Sequence, residues 1–167
     1  MSILLSSSAK DRFIKCLPQT PYCSKNPKQD GVIIREKHKA LAFPYIQLNQ
    51  RMKSYLPFDV DREGAAFSWE GAELPPPTII SINSDNGRAH LLYELNAPVC
   101  FPDHNGNGNP RKKPMEYFNA IYRSMCAKLD ADCCYHGFIT KNPLNNRWTV
   151  LYHDLARYDL GELAEYA

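Results

Sequence analysis

The chain has 167 residues, room for one well-buried domain and little more. Hydrophobic residues make up 44% and charged residues 23%, which excludes a disordered composition, and no run of about 18 apolar residues is present to span a bilayer. The net charge of +2 is unevenly spread: residues 1–53 hold ten Lys/Arg against three Asp/Glu, a balance of +7 that leaves −5 for the rest, so the front of the chain suits a phosphate-rich partner.

The start, Met1-Ser-Ile-Leu-Leu-Ser-Ser-Ser, has neither a basic leader nor a long apolar core and does not read as a signal peptide. A cytoplasmic setting follows, with the six cysteines reduced; none forms a C-x-x-C pair, and adjacent Cys133 and Cys134 fit no usual structural zinc spacing. The pattern predicts a first helix from about Ile3 to Leu17, with Phe13, Ile14 and Leu17 toward the core. Pro18 to Gly31 reads as a lysine-bearing loop, punctuated by Pro18, Pro21, Asn26-Pro27 and Asp30-Gly31. An irregular or helical stretch runs to Lys39, then a short strand at Tyr45–Asn49 with Ser54–Asp61 as its neighbour. A Trp-containing insert from Phe67 ends in three prolines at Pro77. Strands Thr78–Asn83 and Arg88–Leu95 flank Ser84-Asp85-Asn86-Gly87, whose Asn-Gly is a strong hairpin signal. Asp103–Lys113 is a flexible loop, and Pro114 suits the start of a helix carrying Met115, Phe118, Ile121, Met125 and Leu129 on one face. Strands near Tyr135–Thr140 and Trp148–Tyr152 and a final helix from Leu160 complete an α+β pattern, with one mostly antiparallel sheet and helices on one side.

Strand alternation sends Phe58 and Val60 to the core and sets Asp59 and Asp61 together on the opposite face. Two neighbouring carboxylates repel unless a cation, a base or water screens them, and a hard divalent cation such as Mg²⁺ uses one or two carboxylates plus substrate phosphates. In the later strand Ala89, Leu91, Tyr93 and Leu95 face the core, leaving Arg88, His90 and Glu94 on the open face with Leu92 between them. Arg88 suits a bidentate phosphate contact, and His90 a triphosphate oxygen or a proton transfer. Asp130 and Asp132 lie at the C-terminal end of the long helix, against the helix dipole, where a metal would compensate them. Lys141 and Asn142 begin a loop between two strands that serves either as a turn or as a place where an amine and amides meet phosphate.

Asp59-Val60-Asp61, the Arg88-x-His90 strand and the Ala131-Asp132 acid resemble the three motifs of the archaeo-eukaryotic primase superfamily. Pro44-Tyr45-Ile46-Gln47-Leu48-Asn49, Phe58-Asp59-Val60-Asp61-Arg62, Ala89-His90-Leu91-Leu92-Tyr93 and Lys141-Asn142-Pro143 followed by Trp148 are similar to its plasmid replicase branch, the initiators of theta-replicating colicin-type plasmids. The resemblance covers roughly residues 35–165 and leaves 1–34 as a basic helix and loop ahead of a catalytic core. It implies an RRM-like sheet and a template-directed primase that joins nucleoside triphosphates into a short RNA primer with Mg²⁺ or Mn²⁺. The template would be single-stranded DNA at a plasmid origin in a bacterial cytoplasm, with a host DNA polymerase to extend the primer. By the same resemblance Asp59, Asp61 and Asp132 hold the metals, with Asp130 a rival for the third place, and His90 contacts the incoming nucleotide. Arg88 replaces the small residue of the usual motif and is assigned, with Lys141 and Asn142, to the triphosphate. Such initiators carry C-terminal origin-recognition modules, and no helix-turn-helix pattern follows here, so the chain reads as an N-terminal catalytic domain of a longer protein. Two other readings compete: an accessory nucleic-acid-binding domain using Lys25, Lys28 and Arg111-Lys112-Lys113, and a rolling-circle nicking enzyme, which the lack of any His-x-His disfavours.

Overall fold

A computed structural model describes residues 7–167, so the part of the expected first helix before Ser7 lies outside the described residues. The elements run α1 (Ala9–Cys16), β1 (Tyr22–Ser24), α2 (Pro27–Asp30), β2 (Ile33–Ile34), α3 (Lys37–Ala40), β3 (Tyr45–Gln47) and β4 (Met52–Val60). A 3-10 turn (Ala65–Phe67) leads into α4 (Ser68–Gly71), followed by β5 (Ile79–Ile82), β6 (Ala89–Cys100), α5 (Lys112–Leu129), β7 (Ile139–Lys141), β8 (Thr149–Tyr152), β9 (Arg157–Tyr158) and α6 (Leu160–Tyr166). The fold is α+β with antiparallel sheets and packed helices, as the sequence pattern predicts.

The larger sheet has the order β4-β6-β5-β8, all antiparallel, with β9 added parallel to β6. Its longest pairing is β4 with β6, in register from Tyr55 opposite Glu94 to Val60 opposite Ala89. Pro57 is tolerated because β4 is an edge strand, where the missing N–H breaks no ladder bond. The Asn86-Gly87 hairpin forms as expected, with Gly87 at φ 72° and its N–H donating to the Asn83 carbonyl at 2.8 Å.

One face of this sheet meets α5 and α6. Leu56, Phe58, Val60, Leu91, Tyr93 and Ile80 pack there against Phe118, Ile121, Met125, Leu129 and Leu163, all buried. Phe58 stacks on Tyr122 with ring centres 4.9 Å apart and meets the Tyr93 edge at 5.8 Å. At about 1.5–3 kcal/mol per fully buried large apolar side chain, this row supplies much of the driving force that fixes α5 over β4 and β6. The helix begins two residues before the predicted Pro114, which is accepted in the first turn because its missing N–H has no intrahelical partner there.

The other face is not open, which corrects the sequence reading. A second sheet, β2-β1-β3-β7, and α1 cover it, burying Tyr55, Ile79 and Leu92 against Phe13, Leu17, Cys23, Ile46 and Leu48. β3 therefore does not neighbour β4; it pairs with β1 and β7 in the smaller sheet. The lysine-bearing segment before it is structured as well, since it contains β1 and α2, the latter capped by the Asn26 side chain. Glu94, expected on an open face, is 2% exposed and held by Arg12 Nε at 2.9 Å and Arg157 Nε at 3.4 Å. The strand predicted to start at Tyr135 begins at Ile139 and runs through Lys141. Among the described residues no helix is long and apolar enough to cross a membrane.

Candidate functional site

The C-terminal end of β4 and the turn after α5 meet at one place. α5 ends on Asp130 in the left-handed region at φ 48°, a conformation a short Asp side chain tolerates. The Arg62 guanidinium, just past β4, donates to the carbonyls of Leu129 at 2.7 Å and Asp130 at 3.0 Å and so satisfies the helix's orphan acceptors. Two residues on, the Asp132 N–H donates to the Asp59 carbonyl at 2.8 Å. These bonds place the helix terminus against the strand carrying Asp59 and Asp61. The result is a cluster: one carboxylate oxygen each from Asp59, Asp61 and Asp132, all within 4.8 Å of one another. Asp130 is not in it, because its side chain is 96% exposed and lies 4.0 Å from Arg62. The left-handed turn decides between the two acids.

His90 lies beside the cluster on the paired strand, directly opposite Asp59. It is 5% exposed, with Nε2 3.3 Å from Asp59 Oδ1. Its Nδ1 accepts the Lys141 backbone N–H at 3.1 Å and lies 2.9 Å from the Thr140 hydroxyl. An Nδ1 that accepts a backbone N–H leaves the ring proton on Nε2, so a neutral imidazole presents Nε2–H toward Asp59. Burial lowers the His90 pKa, outweighing the attraction of Asp59. Burial also pushes the Asp59 carboxyl up, but His90, Lys141 and Lys28 outweigh it and hold the group below its ordinary value. Asp59 Oδ1 is buried yet closes no well-aligned hydrogen bond, so it has a lone pair free for a cation.

The cationic side of the site is mixed. Arg88, half exposed just before β6, pairs with Asp61 at 3.7 Å. Lys141 is 7% exposed, with its ammonium 5.5 Å from the Trp148 ring centre, and burial lowers its pKa against the pull of Asp59 and Asp61. Asn142 does not present an amide to the site. It is fully buried, its Nδ2 donating to the carbonyls of Leu41 and Phe43 at 2.9 and 2.8 Å and its Oδ1 accepting from Leu144 N–H at 3.0 Å. Its place is to hold the Lys141 loop against residues 41–43. Arg111, Lys112 and Lys113 lie at the start of α5, the opposite end from Asp132.

Several participants escape sequence reasoning. Thr140 fixes His90, and Tyr135, partly buried, donates its hydroxyl to the Ile139 carbonyl at 2.9 Å with the oxygen 3.5 Å from His90 Nδ1. Arg147 lies 4.7 Å over the ring of Trp148, which is buried and donates its Nε1–H to the Pro44 carbonyl at 2.7 Å, and Tyr45 meets that ring edge-on at 5.3 Å, so Arg147 is an exposed cation near Lys141. A hydrogen-bonding residue three positions before Pro143 carries no one-dimensional signal.

A hard divalent cation fits the three-carboxylate set: the donors are oxygens, they converge, and one of them is buried without a full complement of hydrogen bonds. No curated protein and no solved structure matches the chain. The model of the Replicase family matches it over residues 16–167, a span that contains both sheets and every residue of the site. The chain therefore belongs to the Replicase family, and its function lies in replication.

Proposed function

We propose that this chain is a template-directed primase, the catalytic domain of a plasmid replication initiator that joins nucleoside triphosphates into a short RNA primer by two-metal phosphoryl transfer. The single observation that carries the reading is the convergence of Asp59, Asp61 and Asp132 from β4 and the turn after α5, close to the buried Lys141. Asp59, Asp61 and Asp132 hold Mg²⁺ or Mn²⁺. When bound, the cations lower the pKa of the attacking hydroxyl and neutralise charge on the attacking and leaving oxygens. His90, neutral and hydrogen-bonded at Nδ1, keeps Nε2–H on the carboxylate side of the site, where it offers a donor to the nucleotide. Lys141 and Arg88 meet the triphosphate, since Lys141 feels the charge of Asp59 and Asp61 and the half-exposed Arg88 pairs with Asp61 at the rim of the site. In the reaction the 3′-hydroxyl oxygen would bond to the α-phosphorus as the bond to pyrophosphate breaks, its proton passing to solvent, and Lys141 and Arg88 would stabilise the leaving charge. The template is single-stranded DNA at a plasmid origin, and the exposed Arg147, which shares the Trp148 ring with Lys141, is suited to its phosphate backbone.

The test is primer synthesis on single-stranded DNA with labelled nucleoside triphosphates and Mg²⁺ or Mn²⁺. Wild type should yield cation-dependent product, and Asp61→Asn should lose at least about 100-fold, the scale of removing a transition-state charge stabiliser. Undiminished product from Asp61→Asn sinks the proposal. Cation-independent DNA binding with no incorporation by wild type would instead identify a binding domain that has lost the chemistry.

A further inference from the structure

Three of the six cysteines, Cys126, Cys133 and Cys134, fall within nine residues around the third carboxylate, and primer chemistry uses none of them. The Cys133 and Cys134 sulfurs and a carboxylate oxygen of Asp132 lie within 4.8 Å of one another, and all three residues are exposed. The turn is held in this shape: Asp132 Oδ1 accepts the Cys134 N–H at 2.8 Å, and the Tyr135 N–H donates to the Asp132 carbonyl at 3.2 Å. Cys126, on the last turn of α5, closes the inner side of the group, with its Sγ 3.6 Å from the Ala131 carbonyl. None of these thiols is in a disulfide.

We infer that Asp132, Cys133 and Cys134 form a second cation site, selective for one thiophilic divalent ion such as Zn²⁺, which by taking Asp132 excludes the hard cation from the Asp59–Asp61–Asp132 set. Two sulfurs and one carboxylate oxygen are the donor set of a soft or borderline ion, and three protein ligands leave a tetrahedral position for water. The carboxylate cluster has only oxygen donors and favours Mg²⁺ or Mn²⁺. Asp132 belongs to both sets, so the two occupancies compete. On binding, the two thiols give up their protons to solvent and form two metal–sulfur bonds, with no change in oxidation state. The exclusion rests on the proposed function, whereas the thiophilic binding stands without it.

The binding is read on the intact, reduced chain with Cd²⁺ as the probe, by alkylation with iodoacetamide and peptide mapping. One equivalent of Cd²⁺ should protect Cys133 and Cys134 at least tenfold while exposed Cys100 stays reactive, and should produce a thiolate charge-transfer band in the ultraviolet. The band should vanish in Cys133→Ser/Cys134→Ser and persist in Asp61→Asn. Equal alkylation of all three cysteines with and without Cd²⁺ overturns the inference, as does a band that survives the double variant. For the exclusion, bound Mn²⁺ is followed by electron paramagnetic resonance. Stoichiometric Zn²⁺ should release it from wild type and not from the double variant, and retention of Mn²⁺ in wild type refutes that part. A wild type that binds no Mn²⁺ counts against the primase reading, while the alkylation result still decides the thiol site.

Discussion

Gly137→Ala tests how the loop that carries the site is seated. Gly137 lies between Asp132 and Thr140, with φ 71°, and its Cα faces the Pro57 ring on β4. A Cβ there would overlap Pro57 Cγ and lie 3.4 Å from both Cβ and Cδ of the same ring. The left-handed backbone costs a residue with a Cβ roughly 1–2 kcal/mol. Forcing a methyl into a filled contact costs about 1–3 kcal/mol more, and a proline ring on a paired strand has no rotamer by which to retreat. The sum, about 2–5 kcal/mol, is a large part of the roughly 5–15 kcal/mol that holds a domain of this kind together. Gly64→Ala separates the two terms, since Gly64 has φ 74° but nothing within 4 Å of an added Cβ. It should lose only about 1–2 kcal/mol. Equilibrium urea unfolding at equal slope measures both; with a slope of about 1–3 kcal/mol per molar, Gly137→Ala should lower the midpoint by about 1 M more than Gly64→Ala. Equal midpoints for the two variants would refute the close seating of the loop on Pro57.

Two further outcomes follow from buried charge. Arg12→Ala leaves the 2%-exposed Glu94 with only the half-exposed Arg157, so thermal or urea unfolding should register a loss of about 3 kcal/mol or more. His90 has a folded pKa depressed below its unfolded value near 6.5, so between the two the unfolded chain binds the extra proton. Its contribution is complete above about pH 6.5 and is lost as the pH falls, while that of Asp59, also depressed, is lost only at lower pH, through the carboxylate range. The melting temperature of wild type should therefore drop between pH 7.5 and 5.5 more steeply than that of His90→Gln, and parallel curves would remove the neutral buried imidazole.

Much of the site was legible in one dimension because it rests on period and adjacency. Alternation alone put Asp59 and Asp61 on one face of β4 and His90 on the matching face of β6, and the register pairs Asp59 with His90 directly. The choice of Asp132 over Asp130 was not legible, since it depends on the left-handed turn at Asp130 and on the Asp132 N–H reaching the Asp59 carbonyl. The second sheet escaped because β1 and β2, three and two residues long, are too short for an alternation to show, so the strands expected near β3 and β7 read as parts of a single sheet. That omission made the His90 face look open. Glu94 looked like a surface acid for a related reason: its partners Arg12 and Arg157 lie far from it in the chain on either side. Asn142 carried the right motif and a different task, because the burial that commits its amide to Leu41 and Phe43 is a tertiary fact.

The most direct measurement of the central claim is the anomalous scattering of Mn²⁺ in crystals soaked with Mn²⁺ and a non-hydrolysable nucleoside triphosphate. A manganese peak is expected bounded by the carboxylates of Asp59, Asp61 and Asp132, with triphosphate density running toward Lys141 and Arg88. Triphosphate bound elsewhere, with no manganese among those three carboxylates, would contradict it.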